Sequence, residues 1–366
     1  MAAKACGADL AAAYFDMGSF DLESMGLEGE KIAFSRRLFP ESEAFSNGFE
    51  RWLDAKLPDR LKRILRYAHF KFAVRFRTGF LRDYGTVVFS GDTLSAVPQC
   101  RKDAVKICYF HSIPRYLFDQ RDLYLQKVPA LLRPFYVVVR FFTTKAFFCH
   151  LSKIDRIYVN GENLRAYCKE HLRRDAEILY PPVDTDEFAP CSLKEKGDYY
   201  VSFSKLATFK RVDAVVRAFG EMPDKNLLVI YGANDPQRDE VLSLARELPN
   251  VECRILEDNA ELPGIVAGAI ATVFVSKNED FGMVAIESMA AGTPVIAADS
   301  GGIKETVVPD VTGLFVAEMF STDDLVRVVG EMTKERSKSM RKACIERAKE
   351  FGKERFEAEI RQAFAR

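Results

Sequence analysis

The feature that most restricts this chain is an alternation of short apolar runs with segments of helical period. From Tyr199 onward the runs Tyr199–Ser204, Leu227–Tyr231, Val251–Ile255, Thr272–Ser276, Pro294–Ala298 and Gly313–Val316 read as strands. Between them, Val212–Glu221, Pro236–Leu248, Ala260–Ala269 and Met283–Ala291 carry apolar residues at helical spacing. A strand followed by a helix cannot turn back as a hairpin; it enters the next strand from the same end. The sheet is therefore parallel, and helices cover both of its faces. After Ser321-Thr322-Asp323-Asp324, an arrangement that suits a capping box, helices run on to the C-terminus.

The first half follows the same plan less regularly. Its candidate strands are Asp9–Phe15, Lys31–Ser35, Thr86–Ser90, Val105–Phe110, Arg156–Asn160 and Glu177–Tyr180, several of which end on a small or polar residue. Polar strand ends are expected where the carboxyl edge of a parallel sheet faces a ligand. Tyr180-Pro181-Pro182-Val183-Asp184 marks a boundary, because consecutive prolines continue neither a helix nor a central strand. The expected division is residues 1–183, residues 184–350, and a helix over residues 351–366 that packs back on the first domain. With 366 residues, two cores are within reach.

Composition excludes some classes. The formal net charge is zero, which gives no general argument for nucleic acid. Eight cysteines lie scattered at 6, 100, 108, 149, 168, 191, 253 and 344, without a Cys-x-x-Cys pair, as suits a reducing cytoplasm. The apolar stretch Phe135–Phe148 is interrupted by Arg140 and Lys145 and is not read as membrane-spanning. Arg51–Arg82 holds ten Lys and Arg against two acids and is interleaved with aromatic residues. That segment is either a helix pair with a solvated basic face or a contact with an anionic membrane. On the second reading the protein is cytoplasmic and peripheral on the inner face of the membrane.

Three constellations carry chemistry. Glu279 and Glu287 are separated by seven residues that include Phe281-Gly282-Met283. If a helix starts near Gly282, the amides at its N-terminus form an anion site, with one acid before the helix and one about a turn inside it. An ordinary helix with an acidic start fits the same letters. Lys205 and Lys210 follow a strand and either converge on a diphosphate or form a solvated basic turn. His111, in Phe110-His111-Ser112-Ile113-Pro114-Arg115-Tyr116, also follows a strand and is either catalytic or structural.

These residues together resemble a retaining glycosyltransferase of family 4 with the GT-B fold: two doubly wound parallel-sheet (Rossmann-like) α/β domains facing a central cleft. The resemblance rests on the Glu-x7-Glu spacing of Glu279 and Glu287, the cations Lys205 and Lys210, the glycine pair Gly301-Gly302 with Lys304-Glu305-Thr306, and the segments His111–Tyr116 and Tyr180–Asp184. It is strongest to the mannosyltransferases of O-antigen and lipid-linked glycan synthesis, covers residues 8–355, and is closer in the second half. It implies that Glu279 contacts the donor hexose and that the amides of Phe281, Gly282 and Met283 face the donor. Lys205 and Lys210 would hold the diphosphate, Glu287 the ribose, and His111 would sit near the transferred sugar. The implied donor is GDP-mannose and the implied acceptor a glycan or lipid-linked glycan. No metal is expected, because lysines do the charge work; Asp184-Thr185-Asp186 imitates a metal-binding motif on the hinge and is read as structural.

Two departures stand out. The first cation of the family is usually arginine, and Lys205 lacks its bidentate geometry. Family members also begin with a strand, a glycine-rich loop and a helix before the segment matching Ala8–Asp16, whereas Met1–Cys6 supply only the tail of that helix. The N-terminal domain is thus expected to lack its first strand. A UDP-sugar-dependent transferase, a nucleotide-sugar epimerase of the same fold and a non-catalytic truncated homologue remain as alternatives.

Overall fold

The computed structural model describes residues 71–365, except residues 72, 73, 119 and 127 and the side chains of 123 and 365. The candidate strands Asp9–Phe15 and Lys31–Ser35, the expected loss of a first strand and the basic stretch before residue 71 lie outside the described residues. The chain divides into two compact units. Among the described residues, the first comprises 71–159, 167–178 and 359–365, and the second comprises 160–166 and 179–358.

The first unit holds four parallel strands, β1 (Thr86–Ser90), β2 (Val105–Phe110), β3 (Arg156–Val159) and β4 (Glu177–Ile178), paired in chain order. Val87 and Phe89 of β1 point inward while Thr86, Val88 and Ser90 are exposed. β2, by contrast, is buried on both faces from Lys106 to Phe110. Between β2 and β3 run the short helix α1 (Arg121–Gln126) and the long α2 (Arg133–Leu151). β3 is followed by α3 (Glu162–Tyr167), all but the last residue of which belongs to the second unit. The end of the last helix, α12 (Lys353–Ala365), belongs to this unit: Arg156 Nη1 donates to Ala363 O at 3.2 Å, and the Tyr158 ring lies 6.1 Å from that of Phe364.

The second unit has six parallel strands: β5 (Tyr199–Phe203), β6 (Asn226–Ile230), β7 (Val251–Arg254), β8 (Thr272–Phe274), β9 (Val295–Ala298) and β10 (Gly313–Val316). Its helices are α4 (Thr185–Phe188), α5 (Val212–Gly220), α6 (Arg238–Ala245), α7 (Leu262–Gly268), α8 (Met283–Ala290), α9 (Ile303–Thr306), α10 (Thr322–Glu331) and α11 (Lys334–Lys349). The strand order is β10-β9-β8-β5-β6-β7. From β5 the chain adds β6 and β7 on one side, then returns and adds β8, β9 and β10 on the other. The order reverses between β5 and β8, which pair only at Val201 and Thr272. Side chains on every residue of β8 and β9 are buried, as helices on both faces require. The core gathers Val215, Val216 and Phe219 of α5, Ile286 and Met289 of α8, and Leu325 and Val329 of α10. Ser321 and Asp324 form the expected capping box of α10.

The strands end earlier than the apolar runs. β8 stops at Phe274 because the next residues bond elsewhere: the Lys277 amide donates to Phe209 O at 2.7 Å and Ser276 Oγ to the same oxygen at 3.3 Å. The sheet gives up these residues to a loop that faces the loop after β5. β4 stops at Ile178, three residues before the prolines that cannot donate to a ladder.

Candidate functional site

In an open parallel sheet, a crevice forms at the carboxyl ends of the strands where the strand order reverses. In the second unit that position lies between the loops after β5 and β8. Lys210 is on the first loop and Glu279 on the second. Lys210 Nζ donates to Glu279 Oε2 at 2.7 Å, with side-chain exposures of only 14% and 15%. The ammonium also lies 4.8 Å from the Phe274 ring centre and 5.3 Å from that of Phe209. Low exposure limits screening, so this pair is stronger than a surface pair.

Backbone strain next to each partner aims it. Arg211 takes a left-handed conformation, φ 54°, and is held there by bonds from Nε to Val275 O (2.8 Å) and from Nη1 to Glu318 O (2.7 Å). Asn278 is also left-handed, φ 49°, and its amide donates to Ser300 Oγ at 3.0 Å. Such conformations persist only where surrounding bonds enforce them, and they collect at functional sites. The Glu279 backbone is gripped as well. The Gly302 amide donates to Glu279 O at 2.7 Å, and Glu279 forms an isolated parallel bridge with Gly301. A Cβ on Gly301, where φ is 70°, would stand 2.4 Å from Glu279 O.

Gly282, φ 88°, ends the turn, and α8 starts at Met283. Among the described residues the amides of Phe281, Gly282 and Met283 have no protein acceptor. They are donors at the start of a helix, beside Glu279. The Phe281 side chain does not share this exposure; it is buried, stacks on Tyr180 at 5.6 Å and meets Phe351 edge-on at 5.6 Å, anchoring the turn. Lys205 lies exposed on the Lys210 loop. Asp235 fixes that end of the loop, its Oδ2 accepting from the amides of Leu206 and Gly232, both at 2.9 Å.

Glu287 lies a turn into α8 among other acids. Burial, then the neighbouring carboxylates of Glu187 and Asp184, push its carboxyl up to about 7 from an ordinary 4.5. Asp184, from the segment that imitates a metal-binding motif, is ion-paired with Lys353. No cluster of three or more metal-ligating side chains occurs among the described residues. In the first unit, His111 follows β2, its Nε2 3.0 Å from Ser90 Oγ and its ring 4.5 Å from that of Tyr109. Burial lowers its pKa, which favours the neutral imidazole.

Residues 184–351 match the family model described as glycosyl transferases group 1. The second unit carries a glycosyl transferases group 1 domain. Lys205, Lys210, Glu279, Phe281, Gly282, Met283 and Glu287 all fall inside the matched span of this domain, and His111 falls outside it. Curated relatives include D-inositol 3-phosphate glycosyltransferases of Mycobacteroides abscessus (31% identical over 192 residues, 48% of this chain and 43% of that one) and of Corynebacterium aurimucosum (34% over 201 residues, 48% and 47%). The chain spans about half the length of the curated relatives it matches. Solved structures with the same fold include sucrose-phosphate synthase from Thermosynechococcus elongatus (TM-score 0.64, 20% identity, 81% of this chain and 77% of that one). Another is Anabaena Alr3699/HepE in complex with UDP (TM-score 0.59, 15% identity, 83% and 88%). The fold is the two-domain parallel α/β architecture of GT-B glycosyltransferases.

Sequence reasoning did not find the residues that hold the loops after β5 and β8 in shape. Asp235, Asn278, Ser300 and Arg211 all act through backbone bonds over long separations. Only Asn278 carried a signal, since asparagine tolerates the left-handed region. Glu305, which sequence placed merely near the glycine pair, accepts from the amides of Glu162 (2.7 Å) and Asn163 (3.0 Å) and from Tyr180 Oη (3.2 Å). That bond and burial push the Tyr180 phenol up to about 12, burial being the larger cause.

Proposed function

We propose that the protein is a retaining, metal-independent glycosyltransferase that moves a hexose from a nucleotide sugar to a glycan or lipid-linked acceptor. The observation that carries this reading is the Lys210–Glu279 pair at the strand-order reversal, beside undonated amides at the start of α8. One point of the fold thus offers a cation, a carboxylate and an anion-binding backbone, which are the groups a sugar diphosphate requires.

Lys205 and Lys210 neutralise the diphosphate as the bond from the sugar C1 to the phosphate oxygen breaks. Glu279 stabilises the positive charge that develops on the sugar. The acceptor oxygen bonds to C1 on the same face, and the departing phosphate takes the acceptor's proton. Glu287 receives the ribose hydroxyls; the role of His111 near the transferred sugar rests on the sequence resemblance alone. Lysine charge stands where other transferases use a divalent ion, so added EDTA should leave the rate unchanged.

GDP-mannose is the donor to which the sequence resemblance points. A UDP-hexose is the second reading, favoured by the UDP bound in the Anabaena protein of the same fold. The names of the curated relatives add a phosphorylated polyol to the acceptors worth testing. Arg51–Arg82 would touch an anionic membrane that carries the acceptor. The experiment is to incubate the protein with GDP-mannose and UDP-hexoses, with and without lipid-linked acceptor, and to separate the products. Transfer or slow donor hydrolysis supports the proposal; an epimerised sugar assigns the protein to the epimerases instead. Binding of no nucleotide removes both readings.

A further inference from the structure

Three separate stretches of the second unit meet at the Glu305 side chain. Glu305 stands in α9, three residues after Gly302, whose amide holds Glu279 O at 2.7 Å. Its Oε2 accepts from the Glu162 amide at 2.7 Å and from Tyr180 Oη at 3.2 Å, and its Oε1 from the Asn163 amide at 3.0 Å. Hydrogen bonds to a carboxylate are stronger than those between neutral groups, and together they fix the side chain. The backbone of α9 is pinned as well. Arg347 donates from Nε to Thr306 O at 3.1 Å and from Nη2 to Glu305 O.

Tyr180 carries this anchorage to the turn Glu279–Met283. It lies past β4, outside any helix or strand, where side-chain contacts rather than a ladder hold the ring. The ring stacks on Phe281 at 26° and meets Phe351 edge-on at 5.5 Å. Aromatic pairs at such separations hold preferred angles. Phe281 and Phe351 are 3% and 2% exposed, so the stack has little room to shift. Ile303 of α9 supports the same turn, since a Cβ on Gly282 would stand 2.7 Å from Ile303 Cδ1. Packing alone would be served by phenylalanine at position 180; the hydroxyl adds an orientation, set by Glu305. With the phenol pushed up to about 12, Tyr180 keeps at neutral pH the proton that it donates.

We infer that Tyr180 and Glu305 are positioning residues for the turn that meets the donor: Glu305 orients the Tyr180 ring through its hydroxyl, and the ring holds Phe281 so that the turn amides and the Glu279 carboxylate keep their aim. The inference rests on the donor reading proposed above and adds two residues that act through others. A supporting residue of this kind costs turnover when it is lost, because a small displacement of the groups it holds spoils the reacting geometry.

The test uses the full chain as wild type, Tyr180→Phe, Tyr180→Leu, Glu305→Ala and the double variant Tyr180→Phe with Glu305→Ala. Amide hydrogen exchange reads the turn at Ala285 and Gly302, whose amides are bonded to Gly282 O and Glu279 O. Steady-state hydrolysis of GDP-mannose and of UDP-glucose reads the donor. Tyr180→Leu and Glu305→Ala should speed exchange at those two amides about tenfold or more, with β6 and β7 exchanging as in the wild type. For the donor that the wild type hydrolyses, kcat should fall about tenfold or more while KM stays within about threefold, because Lys205, Lys210 and Glu287 still hold the nucleotide. Tyr180→Phe keeps the ring and should lose only about threefold in kcat. In the Glu305→Ala background the same change should cost nothing further, since the hydroxyl has no partner there. Three results overturn the inference: faster exchange across the whole second unit, a loss confined to KM, or a Tyr180→Phe cost that persists without Glu305. A wild type that hydrolyses neither donor removes the donor reading instead, and unchanged exchange at Ala285 and Gly302 then overturns the positioning as well.

Discussion

The Lys210 ammonium is ion-paired with Glu279, and on the proposed reading a bound diphosphate would draw it away. On that reading, removing Glu279 would free the cation for phosphate while taking away the group proposed to meet the sugar. Glu279→Ala should lower transfer by about 10²–10³-fold, the usual cost of losing one electrostatic stabiliser. Affinity for the nucleoside diphosphate without sugar should stay the same or rise, as measured by calorimetry. Parallel losses of turnover and diphosphate binding would reject this division of labour. Glu287 gives a prediction with a sign. Its carboxyl titrates near 7 in the folded protein against 4.5 ordinarily, so the folded state holds the proton more tightly than the unfolded chain. Stability is then fully retained below about pH 4.5 and falls as the pH rises through 7. Glu287→Gln should melt above the wild type at pH 8 and level with it at pH 4.5, while weakening donor binding. A melting difference that does not change with pH would contradict this.

At the scale of elements, the site depends on turns rather than on helices or strands. Gly301 sits under Glu279 with a left-handed φ of 70° and no space for a Cβ. Gly301→Ala should cost about 2 kcal/mol or more of stability and reduce transfer by displacing Glu279. Ser321→Ala removes the α10 cap and should cost about 1 kcal/mol with transfer unchanged. Chemical denaturation and rate assays on both variants separate a local from a global effect; equal loss of transfer in the two would contradict the assignment. The same contrast explains what was legible in the sequence. The strands of the second unit and the α8 start at Met283 followed from apolar period and from Gly282, because those signals are local. The strand ends at β4 and β8 did not, since Ser276 and Lys277 leave the ladder for an oxygen at Phe209, far away in the chain. The Glu187 and Asp184 neighbours of Glu287 were hidden for the same reason: α4 and α8 meet only in the fold.

At the scale of the molecule, the two units carry sheets of different design. The second reverses its strand order and so creates a crevice, and the Glu279 and Lys210 loops border that reversal. The four described strands of the first follow chain order, and its His111 and α2 stand at a strand end and on the surface. On the proposed reading, Lys205, Lys210, Glu279 and Glu287 would meet the donor, and all four lie in the second unit. The most direct test is calorimetric titration of GDP and UDP, with and without their hexoses, into the wild type and into Lys205→Ala and Lys210→Ala proteins. The account predicts that one nucleoside diphosphate binds the wild type and that each lysine variant loses at least tenfold in affinity, with EDTA having no effect. Binding of neither nucleotide, or binding that survives both substitutions, would contradict it.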